Sequence, residues 1–347
     1  MTHRLVHVQP LAMCSGPELE TFIKVPWLVQ RGDPYWVPPI ISQQRHVLDP
    51  ATGPFFEHGE AQYFLARQDK RVLGRISAHI NRMHDERYAD DTGFFGFFEC
   101  VDDSDVATAL FNAAAGWLRS RGRRRIRGPL SFGIYDEVGV LVEGFDSLPA
   151  ILQTHNPPYY QRLIEAWGFQ KAIDWYALRI TDNTLDVAKM QQQLDQILAG
   201  KDLTITAPKP NDVFGERARE VFDIFNDAWS GNWGHVPFTW SEFSGILREL
   251  KPVLRSDLMR LILTPTNEIA AFIINVPDLN PELQKANGKL GPWRLLRLYL
   301  KAQWLPLGKL RTLLLGVRRD YQRRMLHHAL ILSCYIQLLK HPSITCC

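Results

Sequence analysis

A few short clusters in this sequence carry residue types capable of chemistry. Arg119, Arg121 and the run Arg123-Arg124-Arg125, with Arg127 beyond, gather at one place. They read as a solvated helix end whose positive charge suits the negative pole of the helix dipole, with anion binding as the alternative. His79 with His84, and the adjacent His327 and His328, lack helix-face ligand spacing with nearby acids, so no metal is expected. Gly128-Pro129-Leu130-Ser131-Phe132-Gly133 has a serine between glycines. A nucleophile elbow needs glycine two residues before the serine, and Pro129 stands there, which argues against a hydrolase. Cys14, Cys100, Cys334, Cys346 and Cys347 are scattered and odd in number. They read as free thiols of a reducing cytoplasm.

The elements that must position such residues follow a legible order. With 347 residues, 46% hydrophobic and 22% charged, the chain suits two globular domains. A net charge of +3 is too mild to argue for nucleic acid. No apolar run has signal-peptide or membrane-spanning character, so no integral membrane segment is expected. Two helices over 17–31 and 40–50 precede a hairpin, Gln62–Arg67 and Arg71–Ala78. A strand at Gly93–Glu99 is apolar on both faces, as a central strand would be. Asp102-Asp103-Ser104-Asp105 opens a helix with an apolar stripe through Val106, Leu110, Ala114 and Leu118. A strand at Arg125–Leu130, a helix from Pro157 to Gly168 and a strand at Phe169–Ile180 complete the half. A linker helix over 183–200 follows. Then the pattern restarts: a strand at Leu203–Thr206, helices at Val213–Trp229 and Trp240–Leu250, and a hairpin of Leu258–Leu263 and Ile269–Val276. A long insertion over 277–310 leads to a strand at Arg311–Val317 and a helix at Met325–Lys340. This is an internal repeat in a mixed α/β (α+β) chain.

The order, with the hairpin Tyr63-Phe64-Leu65-Ala66…Val72-Leu73-Gly74-Arg75-Ile76 and the run Tyr159-Tyr160…Trp167-Gly168-Phe169, resembles the GNAT superfamily of acyl-CoA N-acetyltransferases. The phrases Phe55-Phe56-Glu57-His58-Gly59-Glu60, His155-Asn156-Pro157-Pro158-Tyr159-Tyr160 and Asn232-Trp233-Gly234 resemble a bacterial group of tandem GNAT proteins. The resemblance implies two tandem GNAT-like domains: 1–182, a linker helix 183–202, and 203–347. The second ends before the family's last strand and helix, so it reads as incomplete, through truncation or a frameshift near Met325.

In that family a loop of Gln or Arg, two residues, Gly, one residue, and Gly or Ala follows the fourth strand. Its backbone amides and the next helix N-terminus hold the CoA pyrophosphate. The first copy has Cys100-Val101-Asp102-Asp103-Ser104-Asp105 there, whose negative charge would repel phosphate. It reads as a scaffold or an acceptor-binding half. The second copy matches better. The resemblance implies that the backbone of Leu315, Gly316 and Val317 pairs with pantetheine, and that Gln322, Arg323, Arg324, Met325 and Leu326 form the loop for acetyl-CoA. Met325 and His327 stand where the family has small residues, and their side chains should crowd the phosphates. Arg323 and Arg324 would offset part of this by charge.

The resemblance implies N-acetyl transfer to a small-molecule amine or a peptide, in the cytoplasm, with no catalytic residue named. The alternative is a degenerate, non-catalytic binding protein. Asp136-Glu137 and Glu143 read as a base or amine ligand, or as solvated loop carboxylates. Trp229, Asn232, Trp233 and Trp240 read as an acceptor pocket or as packing between domains. The basic amphipathic run Trp293–Lys301 reads as a surface helix, with a membrane surface as the alternative. An incomplete sheet edge would favour a homo-oligomer.

Overall fold

The computed structural model describes residues 5–12, 16–180, 186–304 and 309–339. Cys14, Cys346, Cys347 and the tail from His341 lie outside the described residues. Two compact units emerge: Met1–Trp175 with Asn280–Leu290, and Tyr176–Leu279 with Gly291–Cys347.

The first unit runs β1 (His7–Pro10), α1 (Pro17–Val29), α2 (Ile41–Leu48), β2 (Gly59–Gln68), β3 (Arg71–Asn81), α3 (Arg82–Tyr88), β4 (Thr92–Cys100), α4 (Ser104–Ser120), β5 (Arg125–Arg127) and α5 (Tyr160–Trp167). Its sheet has the order β1-β2-β3-β4-β5, with β4 and β5 parallel and the other pairs antiparallel. One face carries Phe95 and Phe98 of β4 against Leu110 and Phe111 of α4 and Tyr160 of α5. The other carries Tyr63 and Leu65 of β2 and Phe97 of β4 against Phe22 and Ile23 of α1 and Ile41 and Leu48 of α2. Apolar residues on both faces of β4 are thus explained by burial on both sides.

Two local features shape the end of β4. Arg75 pairs with Glu99 and Ser77 with Gly96, so Phe97 and Phe98 together oppose Ile76. This is a β-bulge, with Phe97 in the left-handed region at φ 47°. The bulge resets the alternation, so Phe97 and Glu99 both face α1. Gly96 is the second feature. A Cβ there would fall 1.8 Å from the Leu130 carbonyl oxygen, so only glycine admits the segment leaving β5.

The second unit runs α6 (Val187–Leu198), β6 (Thr204–Thr206), α7 (Ala218–Trp229), α8 (Trp240–Leu250), β7 (Met259–Leu263) and β8 (Ile269–Pro277). After α9 (Asn280–Ala286), which belongs to the first unit, come α10 (Pro292–Trp304), β9 (Leu310–Val317) and α11 (Leu326–Leu339). Its sheet order is β6-β7-β8-β9, antiparallel throughout. Met190 and Leu194 of α6 and Leu326, Ala329, Leu330 and Cys334 of α11 pack with Ile262, Ala271 and Ile273 of the sheet. Phe222 and Phe225 of α7 and Phe243 of α8 form an aromatic group of their own.

The element order strand, helix, helix, hairpin, strand, helix recurs in both units, with the same strand order. β9 and α11 therefore occupy the places of β4 and α4. The connection differs: Val101–Asp103 in the first unit, Arg318–Met325 in the second. Mixed α/β architecture is what the periodicity predicts.

Three details depart from it. β1 and α3 arise where no element is expected. Among the described residues Phe169–Ile180 makes no ladder, and residues 170–180 are exposed. The segment 277–310 is not a single insertion. Asn280 Nδ2 donates to the Pro149 carbonyl at 2.8 Å, and Gln284 Nε2 donates to those of Pro34 and Trp36 at 2.7 and 3.0 Å. These amides satisfy irregular backbone of the first unit, which holds α9 there. Cys100 and Cys334 are free and buried. Among the described residues, no helix is long and apolar enough to cross a membrane.

Candidate functional site

In the second unit, the end of β9 and the loop before α11 enclose a cavity of about 310 Å³. Its size is at the small end for ligand pockets. Leu315, Gly316 and Val317 line it, with Tyr321, Gln322, Arg323, Leu326 and His327 from the loop and helix. Ala228, Trp229 and Asn232, at the end of α7 and just beyond, line it too.

β9 is the last strand of its sheet and pairs with β8 along one edge, Leu315 opposite Ile273 and Val317 opposite Ala271. At Leu315 the carbonyl accepts from the Trp229 indole N–H at 2.7 Å. Gly316 has no room for a side chain. A Cβ would meet Phe272 Cε1 at 2.6 Å and Ile224 Cγ2 at 3.1 Å.

The loop is fixed by side chains and turns. Arg318 N donates to the Ala270 carbonyl at 2.9 Å, and its guanidinium meets Glu268 at 3.1 Å. Arg319 lies 3.6 Å from Asp227. Arg324 stacks over Tyr321 at 4.8 Å. Arg323 and Met325 both adopt left-handed backbone, φ 65° and 60°. That conformation is costly for side chains other than glycine's. The loop thus keeps, at Met325, the dihedral that glycine would favour. It delivers the chain into α11, whose first-turn amides have no intrahelical partners and carry the positive end of the dipole.

Of the residues singled out in the sequence, Leu315, Gly316, Val317, Gln322, Arg323 and Leu326 meet at this cavity. Arg324 and Met325 lie outside its lining, and Met325 is 46% exposed. The expected crowding therefore falls on His327, which does line it. Desolvation, then the neighbouring His328, hold His327 below its ordinary pKa. Trp229 and Asn232 reach the cavity. Trp240 packs edge-on against Phe222, 5.5 Å between centroids, and both it and Trp233 are exposed.

The first unit offers a different constellation at the corresponding strand end. The bulge directs Glu99 toward Arg75, 4.0 Å away and 4% exposed at the side chain. Arg75 also donates to the Phe22 carbonyl at 2.9 Å and lies over the Phe22 ring. Tyr160 O–H donates to Glu99 Oε2 at 2.7 Å, while the Tyr160 oxygen accepts from Cys100 N at 3.0 Å. Burial pushes the Glu99 carboxyl up to about 7, against the pull of Arg75 and Tyr160. Glu137 is exposed at its surface yet crowded by protein, and that desolvation raises its pKa against the pull of Arg75. Sequence reading singled out Glu137 but missed Glu99, Arg75 and Tyr160. An acid and a base inside apolar runs were the available signal.

The other clusters resolve into pairs and packing. Asp103 caps α4, accepting from Asp105 N at 2.8 Å and Val106 N at 3.3 Å, and Asp102 pairs with Arg162. Arg123 makes a bidentate pair with Asp85 at 2.6 and 2.8 Å, and Arg127 lies 3.8 Å from Asp90. Arg121 stacks on Trp117. His79 sits among Phe55, Phe94 and Phe132, and burial pushes its pKa down to about 3. His84 meets Asp90 at 3.1 Å. Ser131 Oγ accepts from Phe97 N at 3.4 Å, as a brace beside the bulge.

No family model matches the chain. It is 36% identical over 308 residues to Protein YghO of Escherichia coli K12, covering 88% of this chain and 77% of that protein. It is 33% identical over 307 residues to the bacterial ceramide synthase of Caulobacter vibrioides, covering 88% and 79%. Among solved structures, it is similar to a tandem GNAT protein from the clavulanic acid biosynthesis pathway. There the TM-score is 0.46 with 12% identity, over 98% of this chain and 88% of that one.

Proposed function

The chain belongs to the family of Protein YghO and the bacterial ceramide synthase, and on that premise we propose that it is an N-acyltransferase using an acyl-CoA donor. The observation that carries the reading is the cavity at the end of β9, where a strand edge, a left-handed turn and a helix N-terminus converge. A thioester arm is held well by strand-edge amides and carbonyls. A pyrophosphate is held well by first-turn helix amides with an arginine nearby. Arg323, Gln322 and the amides opening α11 would hold the phosphates. The backbone of Leu315 to Val317 would orient the pantetheine. Acetyl-CoA is the simplest donor of this class.

The reaction joins the amine nitrogen to the thioester carbonyl carbon. The C–S bond breaks, CoA leaves as a thiolate, and the nitrogen gives up a proton. Positioning supplies much of the acceleration. A proton acceptor poised near neutral supplies more. The acceptor class follows from the relative's name alone: a ceramide is the amide of a long-chain amino alcohol. We therefore take a long-chain amino alcohol as the acceptor.

The experiment is turnover of acetyl-CoA and a long-chain acyl-CoA with sphinganine, read as amide product by mass spectrometry. Calorimetric binding of both donors accompanies it. Product supports the proposal. Binding without product supports a second reading, a non-catalytic ligand-binding protein. That reading is favoured by the Trp229 bond to the Leu315 carbonyl and by the absence of glycine at 325 and 327. Neither binding nor product removes both.

A further inference from the structure

His327 is the second residue of α11, and it lines the cavity at the end of β9. Leu326 before it is fully buried in the core, while His327 is exposed. Among the described residues that line the cavity, none is Asp or Glu, and Arg323 is the one that carries a fixed positive charge. The acids nearby are already engaged. Asp227 lies 3.6 Å from Arg319, and Glu268 and Asp320 lie 3.1 and 3.8 Å from Arg318. α6, which packs on α11, brings the apolar Met190 and Leu194. On its own helix His327 meets His328, 4.4 Å between ring centroids.

An imidazolium at this place is opposed by three features. The α11 dipole is positive at its first turn, Arg323 lines the same cavity, and His328 stands beside the ring. Desolvation, then His328, hold the ring below its ordinary pKa, so it is neutral at physiological pH. A ligand with two negative charges reverses that balance, because it meets the same positive features and draws a proton onto the imidazole. A pyrophosphate is such a ligand, and its oxygens accept from imidazolium as they do from arginine. We propose that His327 is a phosphate ligand of this cavity. On entry of the pyrophosphate of an acyl-CoA it takes up one proton from solvent and, with Arg323, donates to the phosphate oxygens. The side chain at 327 thus serves binding where it was expected to crowd the phosphates. Donor affinity then rises as pH falls. This inference rests on the acyl-CoA reading of the cavity.

The test is calorimetry of the full chain with dephospho-CoA at about pH 6, 7 and 8, in paired buffers of different ionisation enthalpy. This probe keeps the pyrophosphate and lacks the 3′-phosphate, a monoester that itself titrates at about pH 6. The wild type should bind roughly fivefold more tightly at the lowest pH than at the highest, and take up protons as it binds near neutrality. His327→Gln should bind at the weaker level throughout, with no proton uptake, while keeping its circular dichroism. His328→Gln should retain the pH dependence. His327→Ala should bind more weakly than wild type at the lowest pH. Tighter binding by that variant would mean that the ring only crowds the site, and would overturn the proposal. So would wild-type affinity that is flat with pH while dephospho-CoA still binds, or a pH dependence that survives His327→Gln. Those results leave the acyl-CoA reading standing. Absence of dephospho-CoA binding at every pH removes that reading and this one together.

Discussion

The indole N–H of Trp229 donates to the carbonyl of Leu315 at 2.7 Å, across 86 residues of sequence. It ties the end of α7 to the edge strand and occupies the carbonyl that a bound thioester arm would seek. Replacing Trp229 with Phe removes the donor and keeps an aromatic wall. Unfolding free energy should fall by about 1 kcal/mol, the net worth of such a bond. Donor affinity should hold or rise, because the carbonyl is released. A tenfold loss in acyl-CoA affinity by calorimetry would instead make the indole a direct ligand contact.

Met325 holds a left-handed dihedral at φ 60° in the loop that enters α11. A β-branched residue tolerates this least. Met325→Val should cost about 1–2 kcal/mol in denaturant unfolding. Met325→Gly should cost nothing or gain a few tenths, since relief of strain offsets the added chain entropy. Equal losses for both would show that the side chain matters more than the dihedral.

Gly316 admits no Cβ, because Phe272 stands 2.6 Å from where it would be. Gly316→Ala should destabilise the second unit by about 1–3 kcal/mol through overpacking. Pairing it with Phe272→Leu should recover a large part of that loss. Failure of the second substitution to restore stability would place the constraint in the backbone.

Glu99 binds its proton more tightly folded than unfolded, its pKa pushed from 4.5 to about 7 by burial. Between those values the native state holds more protons, so stability falls as pH rises through about 4.5 to 7. The contribution, on the order of 3 kcal/mol, is present below the lower value and gone above the upper one. Glu99→Gln should flatten this slope in urea titrations at stepped pH. A slope unchanged by the substitution would assign the titration elsewhere.

Element order was legible because hydrophobic periodicity is local. The alternation in β2 and β3, the two-sided apolar run of β4, the aspartate cap of α4 and the restart after residue 203 need only near neighbours to be read. So does the position of the loop from Gln322, since it falls between a buried strand and an apolar helix. Contacts between distant residues decided the rest. Ser131 braces the bulge at Phe97, which turns Glu99 toward Arg75, and no local pattern encodes that turn. The pKa of Glu99 follows from the protein packed around it, not from its sequence neighbours. α9 joins the first unit because Asn280 and Gln284 find carbonyls more than a hundred residues away. At Met325 the sequence shows an ordinary side chain, while the tertiary fold holds it in the left-handed dihedral that glycine favours.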